Sequence, residues 1–239
     1  MARRSAHANR KKRESEVSSY ISSLLRNHFG KGPSSVHVVI RPPFITLNIH
    51  GFLSPMEKAL EKNKNSQKVI EETRQLVMKE LKVAIKQHFH EEFGIELNEL
   101  YVDWHLKTRT GLIWGVMEEE VRKNPFGWPN DVNKKAFHKR SNEAHSRAVK
   151  IPAHTESYWL DNRTILVRRS GILTGIEKSL VKNGLTKELR IARRPLEYKA
   201  FSEAGVESVL KRKIRDVFLD WNFETDMGYL VCILEPQTP

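Results

Sequence analysis

Gly51-Phe52-Leu53-Ser54-Pro55-Met56-Glu57-Lys58-Ala59-Leu60 returns further along the chain as Gly171-Ile172-Leu173-Thr174-Gly175-Ile176-Glu177-Lys178-Ser179-Leu180. Gly, Leu, Glu, Lys and the final Leu are identical, five of ten positions, at an offset of 120 (171 − 51). A second pair follows in the same order. Val102-Asp103-Trp104 with Gly111 is matched by Leu219-Asp220-Trp221 with Gly228, at an offset of 117 (219 − 102). Two ordered matches at nearly one offset mark an internal duplication. The chain therefore reads as one folding unit used twice.

Both glycine blocks run into a helix start. Ser54 and Thr174 stand three residues before Glu57 and Glu177. At that spacing the hydroxyl accepts a hydrogen bond from the amide three residues on, and the carboxylate reaches back to the cap amide. Pro55 suits the first helical position, where its missing N–H has no helical partner.

The first copy opens with a predicted helix over Glu14–Phe29, with Val17, Tyr20/Ile21, Leu24/Leu25 and Phe29 at helical spacing and Gly30 as its stop. Ser35–Ile40 and Phe44–His50 then read as a hairpin turning at Arg41-Pro42-Pro43. A long helix follows the glycine block, Ser66–Phe93. Its expected apolar stripe is Val69/Ile70, Thr73, Leu76/Val77, Leu81, Ala84/Ile85, Phe89 and Phe93, and Gly94 ends it. Strands at Leu97–Leu106 and Leu112–Met117 close the copy.

The second copy keeps this order. A helix over Asn133–Val149 has a thin stripe of Ala136, Phe137, Ala144 and Ala148. The hairpin is Ser157–Leu160 with Thr164–Arg168, a helix covers Pro195–Leu210, and Val217–Phe223 with Tyr229–Leu234 close it. No glycine stands where Gly94 would map. The expected organisation is a basic disordered tail at 1–13, repeat one at 14–118, a linker at 119–132 and a diverged repeat two at 133–235. Phe126 and Trp128 predict a linker that packs down. The fold class is α+β: two tandem α-β-β-α-α-β-β units, each with a small, mainly antiparallel sheet covered by helices on one face.

Composition narrows the function classes. Lys and Arg number 41 against 29 Asp and Glu, a formal charge of +12. Such a surface attracts nucleic acid, anionic lipid or an acidic protein, although any one charge cluster is more simply a solvated face. The tentative partner- or anion-binding set is Arg3, Arg4, Arg10, Lys11, Lys12 and Arg13 at the N-terminus, with Arg74, Arg190, Arg193, Arg194, Lys211, Arg212 and Lys213. The basic N-terminus is followed by Glu14-Ser15-Glu16 and not by an apolar run, which excludes a signal peptide. No stretch approaches the roughly 20 apolar residues of a membrane span. The single cysteine, Cys232, excludes a disulfide framework and fits a reducing cytoplasm.

Motifs for chemistry are sparse. Glu57 and Glu177 could be paired carboxylates, but their cap position explains their recurrence. Asp103-Trp104 and Asp220-Trp221 could bind a ligand; the plainer reading has Trp in the core and Asp fixing a turn or neighbouring strand. His88 and His90 lie two apart on a helix and diverge. Gly30-Lys31-Gly32-Pro33-Ser34 lacks the order of a phosphate loop and follows a helix instead of preceding one. The expectation is therefore no catalytic, cofactor or metal residue. Gly51, Ser54, Glu57, Lys58, Asp103 and Trp104, with Gly171, Thr174, Glu177, Lys178, Asp220 and Trp221, form a structural repeat motif.

The first copy resembles the MpsC-like family, bacterial proteins long grouped as a domain of unknown function. The opening helix, Gly30-Lys31-Gly32-Pro33, the hairpin and the block Gly51–Leu60 carry the resemblance, with Arg74 inside the long helix and Gly94 at its end. The second copy shares the block and Arg194 but lacks the Gly-Lys-Gly-Pro step. The resemblance implies a soluble accessory beside the membrane subunits of a cation-translocating, potential-generating system, with no catalytic residues to transfer. The resulting expectation is a non-enzymatic cytoplasmic accessory or regulatory module. Its protein partner would be membrane-associated, and its repeats would pack as an intramolecular pseudo-dimer. The alternative is a nucleic-acid binder using the basic tail and the basic second repeat.

Overall fold

The structure, a computed structural model, describes residues 2–61, 66–118 and 127–236, with side chains from residue 8. It divides into two compact units, Met1–Arg122 and Lys123–Pro239.

In the first unit the order is α1 (Ala2–Phe29), β1 (Ser35–Arg41), β2 (Phe44–His50), α2 (Pro55–Leu60), α3 (Ser66–Phe93), β3 (Leu97–His105) and β4 (Thr110–Met117). The sheet is antiparallel, ordered β1-β2-β4-β3. The second unit runs α4 (Lys134–Ala148), β5 (His154–Trp159), β6 (Thr164–Ser170), α5 (Gly175–Lys182), α6 (Thr186–Ser202), α7 (Val206–Leu210), β7 (Ile214–Asn222) and β8 (Met227–Leu234). Its sheet, β5-β6-β8-β7, repeats the first. Even the irregularities match. Pairing slips between Leu97 and Glu99 in β3 and between Ile214 and Asp216 in β7. Gly51 and Gly171, at φ +63° and +66°, make the same left-handed step out of β2 and β6, which a side chain would strain.

Each core lies between sheet and helices. In the first, Val17, Ile21 and Leu25 of α1 and Ile85 and Phe89 of α3 pack on Ile45, Leu47 and Ile49 of β2. In the second, Phe137 of α4 and Leu189 and Phe201 of α6 meet Ile165, Val167 and Leu230. Trp128 of the expected linker does pack down, its ring centroid 5.3 Å from Phe137 and 5.2 Å from Trp159; Phe126 lies outside the described residues.

Three expectations are corrected. Residues 2–13 are not a disordered tail, because α1 begins at Ala2. No Gly or Pro interrupts the run before Gly30, and the i,i+4 pairs Arg10–Glu14 (3.7 Å) and Lys12–Glu16 (3.9 Å) favour the helix. Glu14 also accepts the Ile40 amide at 3.1 Å, tying the helix to β1. Second, the buried row of α3 is Ile70, Arg74, Met78, Leu81, Ile85 and Phe89, which leaves Val69 and Leu76 outside. A buried arginine broke the apolar pattern and displaced the predicted stripe. Third, the helix expected at Pro195–Leu210 begins at Thr186 and ends at Ser202, with Pro195 inside it and α7 following separately. Pro195 removes a backbone bond in the helix interior, but it sits on the exposed face, where water is available to the freed carbonyl.

Gly94, at φ +59°, stands three residues before β3, and Lys211, at φ +54°, stands three residues before β7. The left-handed exit is kept in the second unit without its glycine. A left-handed non-glycine costs about 1–2 kcal/mol, and glycine returns part of that through the unfolded chain. Lys211→Gly is therefore expected to stabilise the second unit by about 0.5–1 kcal/mol in urea unfolding.

Candidate functional site

The capping box at the head of α2 forms as read. Ser54 Oγ accepts the Glu57 amide at 3.3 Å, and Glu57 Oε2 accepts the Ser54 amide at 2.8 Å. The remainder of that carboxylate faces inward and is taken by Arg74 of α3. Arg74 donates from Nε to Oε1 at 2.6 Å and from Nη2 to Oε2 at 2.9 Å, a bidentate pair. Nη2 also reaches the Phe52 carbonyl at 3.2 Å. The guanidinium lies 4.9 Å from the ring centroid of Phe52 and 4.6 Å from that of Trp104. Burial works against ionising Glu57, but the bonds and charge of Arg74 and the contacts of Ser54 outweigh it and hold the pKa below the usual carboxylate range.

Trp104 is positioned by its neighbour. Asp103 is buried, and its Oδ1 accepts the Trp104 amide at 2.8 Å. Across the sheet, Trp104 pairs with Gly111, where an added Cβ would sit 2.0 Å from the indole ring. Trp221 and Gly228 are paired likewise, and Asp220 Oδ1 accepts the Trp221 amide at 2.9 Å. The Asp-Trp…Gly recurrence is thus a local brace for an aromatic wall. Lys58 is exposed, whereas Lys178 pairs with Asp226 at 3.3 Å.

In the second unit Thr174 and Glu177 form the same box, at 3.3 and 2.8 Å. The arginine that enters it is Arg193, not Arg194. Arg193 donates to Glu177 Oε1 at 3.4 Å and to the Ile172 carbonyl at 3.3 Å, the counterparts of Arg74's bonds to Glu57 and Phe52. Its Nε has moved to a new acceptor, Glu197 Oε1, at 2.6 Å. Trp221 Nε1 donates to the same oxygen at 2.9 Å.

Around this pair the units part ways. Met78 lies four residues after Arg74, as Glu197 does after Arg193 (78 − 74; 197 − 193). Ile49 of β2 pairs with Gly111, and Arg169 of β6 pairs with Gly228. The inward row Val17, Ile21, Leu25 of α1 corresponds to Phe137, Ser141, His145 of α4, both at i, i+4, i+8. Ile21, Leu25, Ile49 and Met78 of the first core have become Ser141, His145, Arg169 and Glu197, all buried. Arg169 donates to Ser141 Oγ at 2.7 Å and lies 3.9 Å from Glu197 Oε2. Arg193 Nη2 is 3.0 Å from His145 Nε2, and His145 Nδ1 is 2.7 Å from the Lys150 carbonyl. Arginine can only donate, so Nε2 accepts and Nδ1 carries the proton. His145 is neutral in this network. Sequence reasoning missed these four residues. Their signal was polar side chains aligned, through the repeat, with core positions of the first copy.

Burial and the facing arginines Arg169 and Arg193 push the His145 pKa down to about 4, against the pull of Glu197. A group held neutral when folded but protonated when unfolded costs stability below its unfolded pKa. The second unit is expected to lose about 3 kcal/mol between pH 6.5 and pH 4 from this residue. The first unit, with Leu25 there, has no such loss. Hydrogen exchange resolved by segment at pH 7 and pH 4.5 checks the difference.

Two members of the expected anion-binding set are withdrawn. Arg74 and Arg193 are 1% and 2% exposed, committed to buried carboxylates, and cannot meet a surface partner. Arg190 is ion-paired with Asp220, Arg212 pairs with Asp131 at 3.2 Å and Lys213 with Glu207 at 3.2 Å. Arg194 is half-buried, 5.9 Å from the Trp221 ring centroid. Arg10 and Lys12 pair along α1, while Lys11, Arg13 and Lys211 are exposed. The side chains of Arg3 and Arg4 lie outside those described. Burial raises the Cys232 thiol to about 12, far from a reactive thiolate. Among the described residues no three His, Cys, Asp or Glu side chains gather as a metal site requires, and no helix is long and apolar enough to cross a membrane.

Comparison with known families matches residues 9–119 and again residues 147–236 to the family described as "Na+-translocating membrane potential-generating system (MpsC)". The chain belongs to the MpsC family. Both MpsC segments contain the arginine–carboxylate pair beneath an aromatic wall, so the two similar halves are two copies of the MpsC unit. Neither curated proteins nor solved structures yield a match.

Proposed function

We propose that the protein is a non-enzymatic accessory module of a Na+-translocating membrane system, working from the cytoplasmic side through a protein partner. The observation that carries this reading is that the family match covers both halves of the chain. The fate of the recurring polar residues supports it. Glu57, Arg74 and Asp103, and their second-copy counterparts, spend their polar atoms inside the fold. What the duplication preserves is a scaffold, and a scaffold acts by presenting surfaces.

The test is recovery of the tagged full-length chain from nuclease-treated extracts of its native host. Co-purification with integral membrane subunits of an ion-translocating complex, kept after nuclease, supports the proposal. Recovery with RNA or DNA alone, with the protein emerging unaccompanied after nuclease, contradicts it and favours the nucleic-acid alternative. In that case affinity should fall steeply with salt.

A further inference from the structure

The outer face of α3 carries an apolar row that its own unit does not use. Val69, Leu76 and Val83 are 50%, 71% and 66% exposed. Seven residues is 20° short of two full turns, so the three form one ridge, about 21 Å long, along the helix. The ridge lies opposite the buried row, since Arg74 and Leu76 differ by 200°. The three aliphatics stand in line on one exposed helix face, alternating with the polar pairs Glu72/Thr73 and Lys79/Glu80.

The charges beside the ridge suit a second copy of the same helix run antiparallel. Glu72 and Lys79 flank it on one side, Thr73 and Glu80 on the other. In a two-fold antiparallel pairing of α3 with itself, centred on Leu76, residues whose numbers sum to 152 lie level. Leu76 then meets Leu76, and Val69 meets Val83. Each flank faces its own copy, so Glu72 falls beside Lys79 of the second copy, and Thr73 beside Glu80. All of these contacts occur twice by symmetry. The macrodipoles of the two helices are also opposed. Lys68 and Lys86 share the outer end of one flank, a like-charge contact that weakens the pairing without changing its register.

We infer that α3 is a homodimerisation surface, pairing antiparallel with α3 of a second copy through the Val69–Leu76–Val83 ridge and the Glu72–Lys79 cross-pairs. A single helix face buries less than the roughly 1,000 Å² of a stable interface, so the dimer is weak and transient. This does not rest on the accessory role proposed above, and it holds or fails separately.

Sedimentation equilibrium on the full chain tests it over about 10 μM to about 1 mM, a range that brackets weak association. The wild type should dimerise reversibly. Leu76→Asp, on an exposed position, should raise Kd at least about tenfold with the circular dichroism spectrum unchanged. Glu72→Lys and Lys79→Glu should each weaken self-association, because each places like charges together twice. An equimolar mixture of the two single variants should associate again as a heterodimer, and Glu72→Lys/Lys79→Glu in one chain should restore the homodimer. A wild type that stays monomeric overturns the inference. So does dimerisation indifferent to Leu76→Asp, or charge swaps that neither mixing nor combination rescues.

Discussion

Replacing Glu197 with methionine is expected to destabilise the second unit by about 3–5 kcal/mol, although methionine is what the first unit carries at that place. The loss comes from what remains. Arg193 loses its 2.6 Å partner, Trp221 Nε1 loses its acceptor, and Arg169 loses the nearest negative charge, all in a buried setting. Changing the whole set should behave differently. Ser141→Ile, His145→Leu, Arg169→Ile and Glu197→Met together restore the apolar lining of the first unit and leave Arg193 to Glu177. Replacing a complete buried ionic network with apolar residues is neutral to stabilising in known cases, so the quadruple variant should recover most of the single variant's loss. Urea unfolding of the three proteins checks this. If the quadruple variant is less stable than Glu197→Met alone, the position-by-position equivalence of the two cores is wrong.

Arg74→Met should cost the first unit a similar amount, about 3–5 kcal/mol, by stranding the Glu57 carboxylate under Phe52 and Trp104. The capping box does not rescue it, because that box uses Oε2 and leaves Oε1 without a donor. The Glu57 pKa lies below normal because of Arg74. The stability the pair supplies is therefore present above the ordinary glutamate pKa and lost as pH falls through the depressed one. Without Arg74 burial disfavours the ionised carboxylate, so the sign reverses and the variant should regain part of its lost stability as pH falls and Glu57 is protonated. Hydrogen exchange should show protection falling in α2 and β3, with the second unit unaffected.

The strands, the hairpins, the opening helices and the capping boxes were legible because they rest on local signals: alternation, turn residues and a four-residue box. The buried arginines were not, because a charge within a helix reads as surface. Arg74 displaces the predicted stripe of α3, because Val69 and Leu76 share the helical spacing of core residues yet lie on the exposed face. The second misreading came from chain length. The offset between copies is 120 at Phe52 and Ile172, 119 at Arg74 and Arg193, and 117 at Asp103 and Asp220. A deletion between the glycine block and the buried arginine moves that arginine by one, and a constant offset selects Arg194. Pro195, read as a helix start, hid the same shift. Ser141, His145, Arg169 and Glu197 became recognisable as a set only when strand register and helix rows placed each beside its apolar counterpart.

The claim on which the rest depends is that Arg193 occupies the place of Arg74. Comparing Arg193→Met with Arg194→Met by segment-resolved hydrogen exchange tests it directly. Arg193→Met should abolish protection across α5, α6 and β7, while Arg194→Met leaves those segments near wild type. Loss of protection in Arg194→Met with Arg193→Met unaffected would contradict the account.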